Sequence, residues 1–264
     1  MKVGFIGAGN MAGAIIRGMV AGGFSGGDIQ ACDVDAEKLT ALSVDCGIRP
    51  CASGEEAAEG CDALVLAVKP QMFPSVLPPL APALHRGRSL VISIAAGKSL
   101  GEIEGLLGAG LPVSRVMPNI NAKVGEAMSA FCTNGLADEA HKSIVRLVFE
   151  SVGEVVELEE RLFPIFSVLS GCSPAYSLLY IDALAQAGVR GGLSKPVALK
   201  IATQAVLGTA RMLGETGEHP RALIDQVCSP AGTTIEGVCA LQDAGFEAAV
   251  LAAAKASLDR DQRL

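Results

Sequence analysis

A short apolar strand that runs straight into a glycine fingerprint constrains this chain more than any other feature. Val3-Gly4-Phe5-Ile6 leads into Gly7-Ala8-Gly9-Asn10-Met11-Ala12, and Ala14-Ile15-Ile16-Arg17-Gly18-Met19-Val20 continues as a helix. Gly7 permits the tight turn after the strand, and Gly9, lacking a Cβ, lets a pyrophosphate approach the backbone. Ala12 keeps the helix close to its strand, while the free N–H groups of the helix N-terminus favour an anion. A solitary fingerprint would fit an ordinary strand-turn-helix. Here a strand precedes it, a helix follows, and Asp33 stands 21 residues past Ala12. That is about the spacing at which a carboxylate meets an adenosine ribose. The segment Ile6–Ala12 is therefore expected to cradle a dinucleotide.

The pattern that follows agrees with such a fold. Up to about residue 158, short apolar strands alternate with helical patterns. Strands are predicted at 3–6, 29–33, 63–68, 90–94, 113–117, 127–131 and 154–158. Helices are predicted at 11–22, 36–45, 55–59, 72–84, 99–107 and 138–151. Alternation of this kind implies a mostly parallel, doubly wound sheet covered on both faces. Beyond Leu158 the strands stop. Helices are predicted at 160–170, 174–187, 196–213, 220–227, 233–242 and 247–259, with Gly188, Gly214 and Gly245 where C-terminal caps belong. The expected organisation is a Rossmann domain over 1–158 followed by an all-helical domain over 159–264.

Composition narrows the function. The net charge of −7 and a pI near 5.1 argue against nucleic acid as the main partner. Eight cysteines without a Cys-x-x-Cys pair read as small buried hydrophobes in a reducing, cytoplasmic compartment. No signal peptide is expected, since the first strand begins at the second or third residue. The uncharged stretch 162–181 is interrupted by Pro164, Gly171 and Pro174, so it is read as buried or interfacial helix rather than as a membrane span. No metal-ligand spacing is present.

Ligands of a parallel sheet lie beyond the carboxyl ends of its strands. Asp33 ends the second strand there, with Asp35 nearby and no arginine close in sequence before Arg49. A carboxylate in that place accepts the two ribose hydroxyls and repels a 2′-phosphate, which favours NADH within the NAD(P)H pair. Ala67-Val68-Lys69-Pro70 and Ala95-Ala96 end two further strands, where small residues let a nicotinamide ring lie against the backbone. Asn119 follows another strand and can hydrogen-bond substrate or carboxamide.

One loop in the helical part has unusual composition: Ser229-Pro230-Ala231-Gly232-Thr233-Thr234, opening a helix at about Thr233. Free helix N-terminal N–H groups beside the hydroxyls of Ser229, Thr233 and Thr234 suit a carboxylate, although the same residues can simply cap a helix. The three histidines lie in turns or on helical surfaces by pattern, and no Ser/His/Asp arrangement is visible. Hydride transfer to a protonated imine fits this inventory, because an iminium carbon is already electrophilic. The residues also leave open a hydroxyacid dehydrogenase using Lys195 or Lys200, a reductase of a related cyclic imine, and a non-catalytic dinucleotide-binding protein.

Five motifs in order resemble those of the pyrroline-5-carboxylate reductases: Gly7-Ala8-Gly9-Asn10-Met11-Ala12, Ala67-Val68-Lys69-Pro70, Val116-Met117-Pro118-Asn119, Ser170-Gly171-x-x-Pro174-Ala175-Tyr176 and Ser229-Pro230-x-Gly232-Thr233-Thr234. The resemblance covers nearly the whole chain. It implies reduction of 1-pyrroline-5-carboxylate to L-proline, with the loop 229–234 around the substrate carboxylate and the Thr234 hydroxyl near the ring nitrogen as the catalytic contact. It also implies a homodimer, or an oligomer of dimers, with interlocked helical domains. The family commonly has Gly-Ser-Gly-Pro-Ala-Tyr where Gly171-Cys172-Ser173-Pro174-Ala175-Tyr176 stands here. It has Pro-Asn-Thr-Pro at Pro118-Asn119-Ile120-Asn121, and glycine at Ala231. A methyl group at Ala231 is expected to disfavour positive φ.

Overall fold

A computed structural model describes residues 1–261 and divides the chain into two compact units, one ending at Gly171 and one beginning at Cys172. The first unit is an eight-stranded sheet. In chain order the strands are β1 (Val3–Ile6), β2 (Ile29–Cys32), β3 (Arg49–Pro50), β4 (Ala63–Leu66), β5 (Leu90–Ser93), β6 (Val113–Met117), β7 (Ala127–Thr133) and β8 (Gly153–Glu157). Their spatial order is β3-β2-β1-β4-β5-β6-β7-β8. Every neighbouring pair is parallel except β6 and β7, which run antiparallel with Val116 opposite Phe131. The strand order reverses between β1 and β4, where Val3 pairs with Ala63 and Ile6 with Leu66.

Six helices cover this sheet: α1 (Asn10–Ala21), α2 (Ala36–Cys46), α3 (Gly54–Ala58), α4 (Phe73–Gly87), α5 (Leu100–Leu107) and α6 (Glu139–Glu150). Alternate strand residues bury opposite faces, as a period of two requires. Val3, Phe5, Ile29, Val65 and Ile92 pack with Ile15, Ile16 and Met19 of α1 and Val148 and Phe149 of α6. Ile6, Leu64, Leu66, Val91 and Val113 pack with Phe73, Leu77 and Leu80 of α4 and Ile103 of α5. Both faces are therefore dry, which a mostly parallel sheet needs.

Residues 160–172 do not form the single helix predicted for 160–170. A 3-10 turn (Glu160–Leu162) leads into one α-helical turn, α7 (Phe163–Phe166), and then a π-helical segment (Ser167–Cys172). Phe163 and Phe166 bury themselves against Ala130 and Cys132 of β7. Glu160 accepts the Leu100 N–H at 2.8 Å and pairs with Arg115 Nη1 at 3.1 Å, while the Arg115 guanidinium lies 4.5 Å from the Phe163 ring centre. These contacts tie the connector to the sheet, so by packing the first unit runs on to Gly171, past the change in residue pattern at Leu158.

The second unit holds α8 (Ser173–Arg190), α9 (Lys195–Thr216), α10 (Pro220–Val227), α11 (Thr233–Asp243) and α12 (Phe246–Asp261). Gly188 and Gly214 lie inside α8 and α9, whose C-caps are Gly191 and Gly217 instead; of the three expected caps Gly245, with φ +74°, follows a helix end. A Cβ on Gly188 would come within 2.9 Å of the Ala198 Cβ, so its place is set by close helix contact. Ala185, Ala198 and Ala202 are buried together between α8 and α9. Leu178, Leu179, Ile201, Leu207 and Leu251 are more than half exposed. Between α8, α11 and α12 lies an apolar groove of about 490 Å³ with Tyr176, Tyr180 and Phe246 on its walls. Pro164 and Pro174 fall at helix starts and do not interrupt the run. By length and composition the continuous helical run Glu160–Arg190, and the bent pair α11 with α12 if taken as one span, are the candidates among the described residues to cross a membrane.

Candidate active site

The glycine turn takes its shape from the sheet. Gly7 follows β1 with φ +101°, and a Cβ there would approach the Ala67 carbonyl oxygen to 2.9 Å. Its N–H donates to the Cys32 carbonyl, and the Ala67 N–H donates to Ile6, each at 2.8 Å. The ends of β1, β2 and β4 are thereby stitched together around the turn. Nothing lies within 4 Å of where a Cβ on Gly9 would stand, and no side chain caps α1 at that residue. An open approach to uncapped helix N–H groups is the cradle that a pyrophosphate requires. The residues present fit a dinucleotide.

Asp33 lies half-buried just past β2. One carboxylate oxygen accepts the Ala8 N–H at 2.6 Å and the other the Asp35 N–H at 2.8 Å. It therefore holds the glycine loop. Asp35 caps α2 and pairs with Lys38 at 2.8 Å. The Lys38 ammonium hydrogen bond, first, and backbone N–H donation pull the Asp35 carboxyl below the usual range. The basic partner here is Lys38, a lysine and not the arginine whose absence the sequence suggests. With Arg17 and Lys123 it brings positive charge to a cavity of about 570 Å³ that also touches Ala8, Gly9 and Asn10. The sequence signal was available: a lysine in the first turn after the second strand.

Small residues also follow the carboxyl ends of β4 and β5. Ala67 and Val68 are half-buried and Ala95 is buried, while Ala96 and Lys69 are exposed. Lys69 precedes a short 3-10 turn, Pro70–Met72. Asn119 is different. It is buried, its Nδ2 donates to the Ser170 carbonyl at 3.0 Å, and its Oδ1 accepts the Met128 N–H at 3.3 Å. Ser170 Oγ in turn donates to the Met128 carbonyl at 2.9 Å. This closed network pins the π-helical segment to the start of β7. Asn119 thus acts as a clamp within the first unit, with one Nδ2 hydrogen and one Oδ1 lone pair left over by these two bonds.

In the second unit, Ser229, Thr233 and Thr234 are exposed and Gly232 is half-buried. Gly232 is the N-cap of α11, and no side chain caps that helix. Ser229 and the two threonines thus leave the first-turn N–H groups unclaimed, against the reading in which they serve as caps. Ala231 has φ +56°, so the methyl group does not prevent the positive φ it was expected to disfavour.

A glycine cradle at the reversal point of a doubly wound sheet, followed by a helical unit, defines a two-domain nucleotide-dependent oxidoreductase. Residues 160–264 match the family model described as pyrroline-5-carboxylate reductase dimerisation, and residues 2–97 one described as NADP oxidoreductase, coenzyme F420-dependent. The chain is 41% identical over 265 residues to the pyrroline-5-carboxylate reductase of Escherichia coli, covering 100% of this chain and 98% of that one. The pyrroline-5-carboxylate reductase structure from Coxiella burnetii superposes with a TM-score of 0.96 at 32% identity, over 99% of this chain and 97% of the other. That of Plasmodium falciparum pyrroline carboxylate reductase, solved with NADP bound, gives 0.86 at 30% identity over 100% and 97%. The chain belongs to the pyrroline-5-carboxylate reductase family.

Proposed function

We propose that this protein reduces 1-pyrroline-5-carboxylate to L-proline, using NADH at least as well as NADPH. The observation that carries the reading is the full-length 41% identity to a reductase of that name, in a chain that keeps both the glycine cradle and the uncapped loop 229–234. When bound, the nicotinamide cofactor supplies a hydride, and the imine nitrogen already carries its proton from solvent. Two electrons and one hydrogen thus reach the ring carbon, and the C=N bond becomes a C–N bond.

The chain's residues hold and orient. Ile6 through Ala12, with Asp33, carry the pyrophosphate and ribose, while Ala67, Val68, Lys69, Pro70, Ala95 and Ala96 border the nicotinamide. Ser229, Gly232, Thr233 and Thr234 cradle the substrate carboxylate, and the Thr234 hydroxyl accepts from the ring N–H. Asn119 supports the segment that leads into the helical domain. Asp33 disfavours a 2′-phosphate by like charge, although Lys38 and Arg17 moderate the local potential.

The matched dimerisation model and the exposed leucines of the second unit support a homodimer. In our reading the helical domain, taken from residue 159, closes the cofactor cleft of the partner, and the enzyme works in the cytoplasm. Nicotinamide absorbance followed with 1-pyrroline-5-carboxylate, with 3-hydroxy acids and with neither separates reductase, dehydrogenase and non-catalytic binder. A kcat/KM for NADPH tenfold above that for NADH refutes the Asp33 argument. Inactive variants damaged at Gly9 and at Thr234 should regain partial activity when refolded together. A stable, active monomer in sedimentation ends the shared-site reading.

A further inference from the structure

The loop 229–234 is built on a residue in a backbone conformation that its side chain disfavours. Among the described residues only two non-glycines have positive φ, Arg88 at +53° and Ala231 at +56°. Arg88 closes α4 as a left-handed C-cap, an ordinary place for that conformation. Ala231 closes no helix. It is the third residue of a four-residue turn in which the Gly232 N–H donates to the Ser229 carbonyl at 3.0 Å. Pro230, the second residue, has its φ fixed near −65°. Positive φ at the third place then makes this a type II turn, where glycine is the usual occupant.

A type I turn over the same four residues would relieve Ala231. It differs chiefly by rotation of the peptide joining Pro230 to Ala231, which swings the Ala231 N–H from one side of the loop to the other. That N–H donates to no other group among the described residues. A Cβ at Gly232 would run into the Ser229 side chain and its carbonyl oxygen, so the fourth place of the turn is closed to any residue but glycine. The disfavoured conformation of this turn sits on Ala231, the one residue in it with both a Cβ and a positive φ.

We propose that Ala231 makes this loop a carboxylate-selected peptide switch. The type II turn presents the Ala231 N–H to the substrate carboxylate together with the free N–H groups of α11, and the relaxed type I turn withdraws it. The inference rests on the reading of this loop as the carboxylate cradle. A ligand that needs the disfavoured state binds more weakly by the fraction of time that state is occupied. Substrate and product share the carboxylate, so the same penalty hastens release of product.

The test compares native protein with Ala231→Gly and Ala231→Val in the full chain. With 1-pyrroline-5-carboxylate, KM falls roughly three- to tenfold in Ala231→Gly, where positive φ carries no steric penalty. It rises in Ala231→Val, whose branched side chain resists positive φ more strongly, and KM for NADH stays unchanged in both. 1-Pyrroline, the same ring without a carboxylate, shows no such order. Calorimetric binding of L-proline gives the order glycine, alanine, valine without needing turnover. Identical constants for native protein and Ala231→Gly overturn the switch, and so does an order that 1-pyrroline shares. If the native protein leaves the imine unreduced while proline affinity follows the order, the switch stands and the reductase reading falls. Absence of proline binding in all three removes both. Should Ala231→Val fail to fold, the comparison of native protein with Ala231→Gly decides alone.

Discussion

Replacing Glu160 by alanine tests whether the connector is held by one carboxylate. Glu160 Oε1 receives the Leu100 N–H at 2.8 Å and Arg115 Nη1 at 3.1 Å. The side chains of Arg115 and Glu160 are 14% and 33% exposed. A fully exposed pair contributes up to about 1 kcal/mol, whereas breaking a buried one costs about 3–5 kcal/mol. The exposures place this pair between those limits, and the stranded Leu100 N–H adds to the loss, giving about 2–3 kcal/mol for Glu160→Ala. In a chain of this size that lowers Tm by roughly 5–10 °C, measured at matched protein concentration because assembly itself shifts Tm. Replacing the pair together, as Arg115→Met with Glu160→Leu, should recover most of the loss, since two apolar side chains can extend the Phe163–Phe166 packing. Urea unfolding of the native protein, the single variant and the double variant measures both changes. A Glu160→Ala loss below about 0.5 kcal/mol, or a double variant no better than the single one, would refute the claim that Arg115 is left unpaired in a semi-buried site.

Thr234→Ala should lower kcat/KM roughly ten- to 200-fold with the fold intact, the scale of a hydrogen bond to a charged group, and Thr234→Ser should keep most activity; an unchanged rate reduces Thr234 to a helix residue. Asn119→Ala removes the partner of a buried Ser170 carbonyl and of the part-buried Met128 N–H and should destabilise by about 1–3 kcal/mol. A tenfold rise in substrate KM without loss of Tm would instead return Asn119 to the ligand. The Lys98 ammonium, then the Ser99 N–H and hydroxyl, hold the Glu102 carboxyl at about 2. A depressed carboxyl stabilises above its unfolded value near 4.5 and ceases to do so as pH falls towards 2. The Tm gap between native protein and Glu102→Gln should thus shrink from pH 5 to pH 2.5, from a ceiling under about 1 kcal/mol because the group is solvent-screened. A gap independent of pH across that window excludes the ionic contribution.

Where two independent signals coincided, the sequence could be read to within a residue or two. Val3–Ile6 and α1 carried both an apolar run and a glycine turn, and β6 was bounded by Pro112 and Pro118. Strand β3 escaped notice because it is two exposed residues, Arg49 and Pro50, whose pairing with β2 leaves no alternation in the sequence. The connector misled for a related reason. Its apolar residues recur at helical spacing, yet Phe163 and Phe166 are placed by a sheet that periodicity cannot see, and the chain accommodates them with a 3-10 turn and a π-helical segment. Gly188 looked like a cap because nothing local distinguishes a glycine that ends a helix from one that admits a neighbour.

The site divides along the same line. Backbone devices, such as the turn at Gly7 and the uncapped start of α11, are written into short motifs, so they were legible. Side-chain commitments are not. Whether Asn119 points at a ligand or clamps Ser170 depends on what stands 51 residues away, and the pairing of Lys38 with Asp35 tempers the charge that a list of acids implies. The helical unit shows the limit most plainly. Its sequence announces apolar helices, but its own buried core is Ala185, Ala198 and Ala202 with Leu223, too little apolar surface to order five helices against their conformational entropy. Leu178, Leu179, Ile201 and Leu251 are more than half exposed. In the homodimer proposed above these side chains are the natural interface, so a substitution that loosens α8 or α9 should lower Tm more at low protein concentration than at high; a Tm shift independent of concentration refutes the coupling.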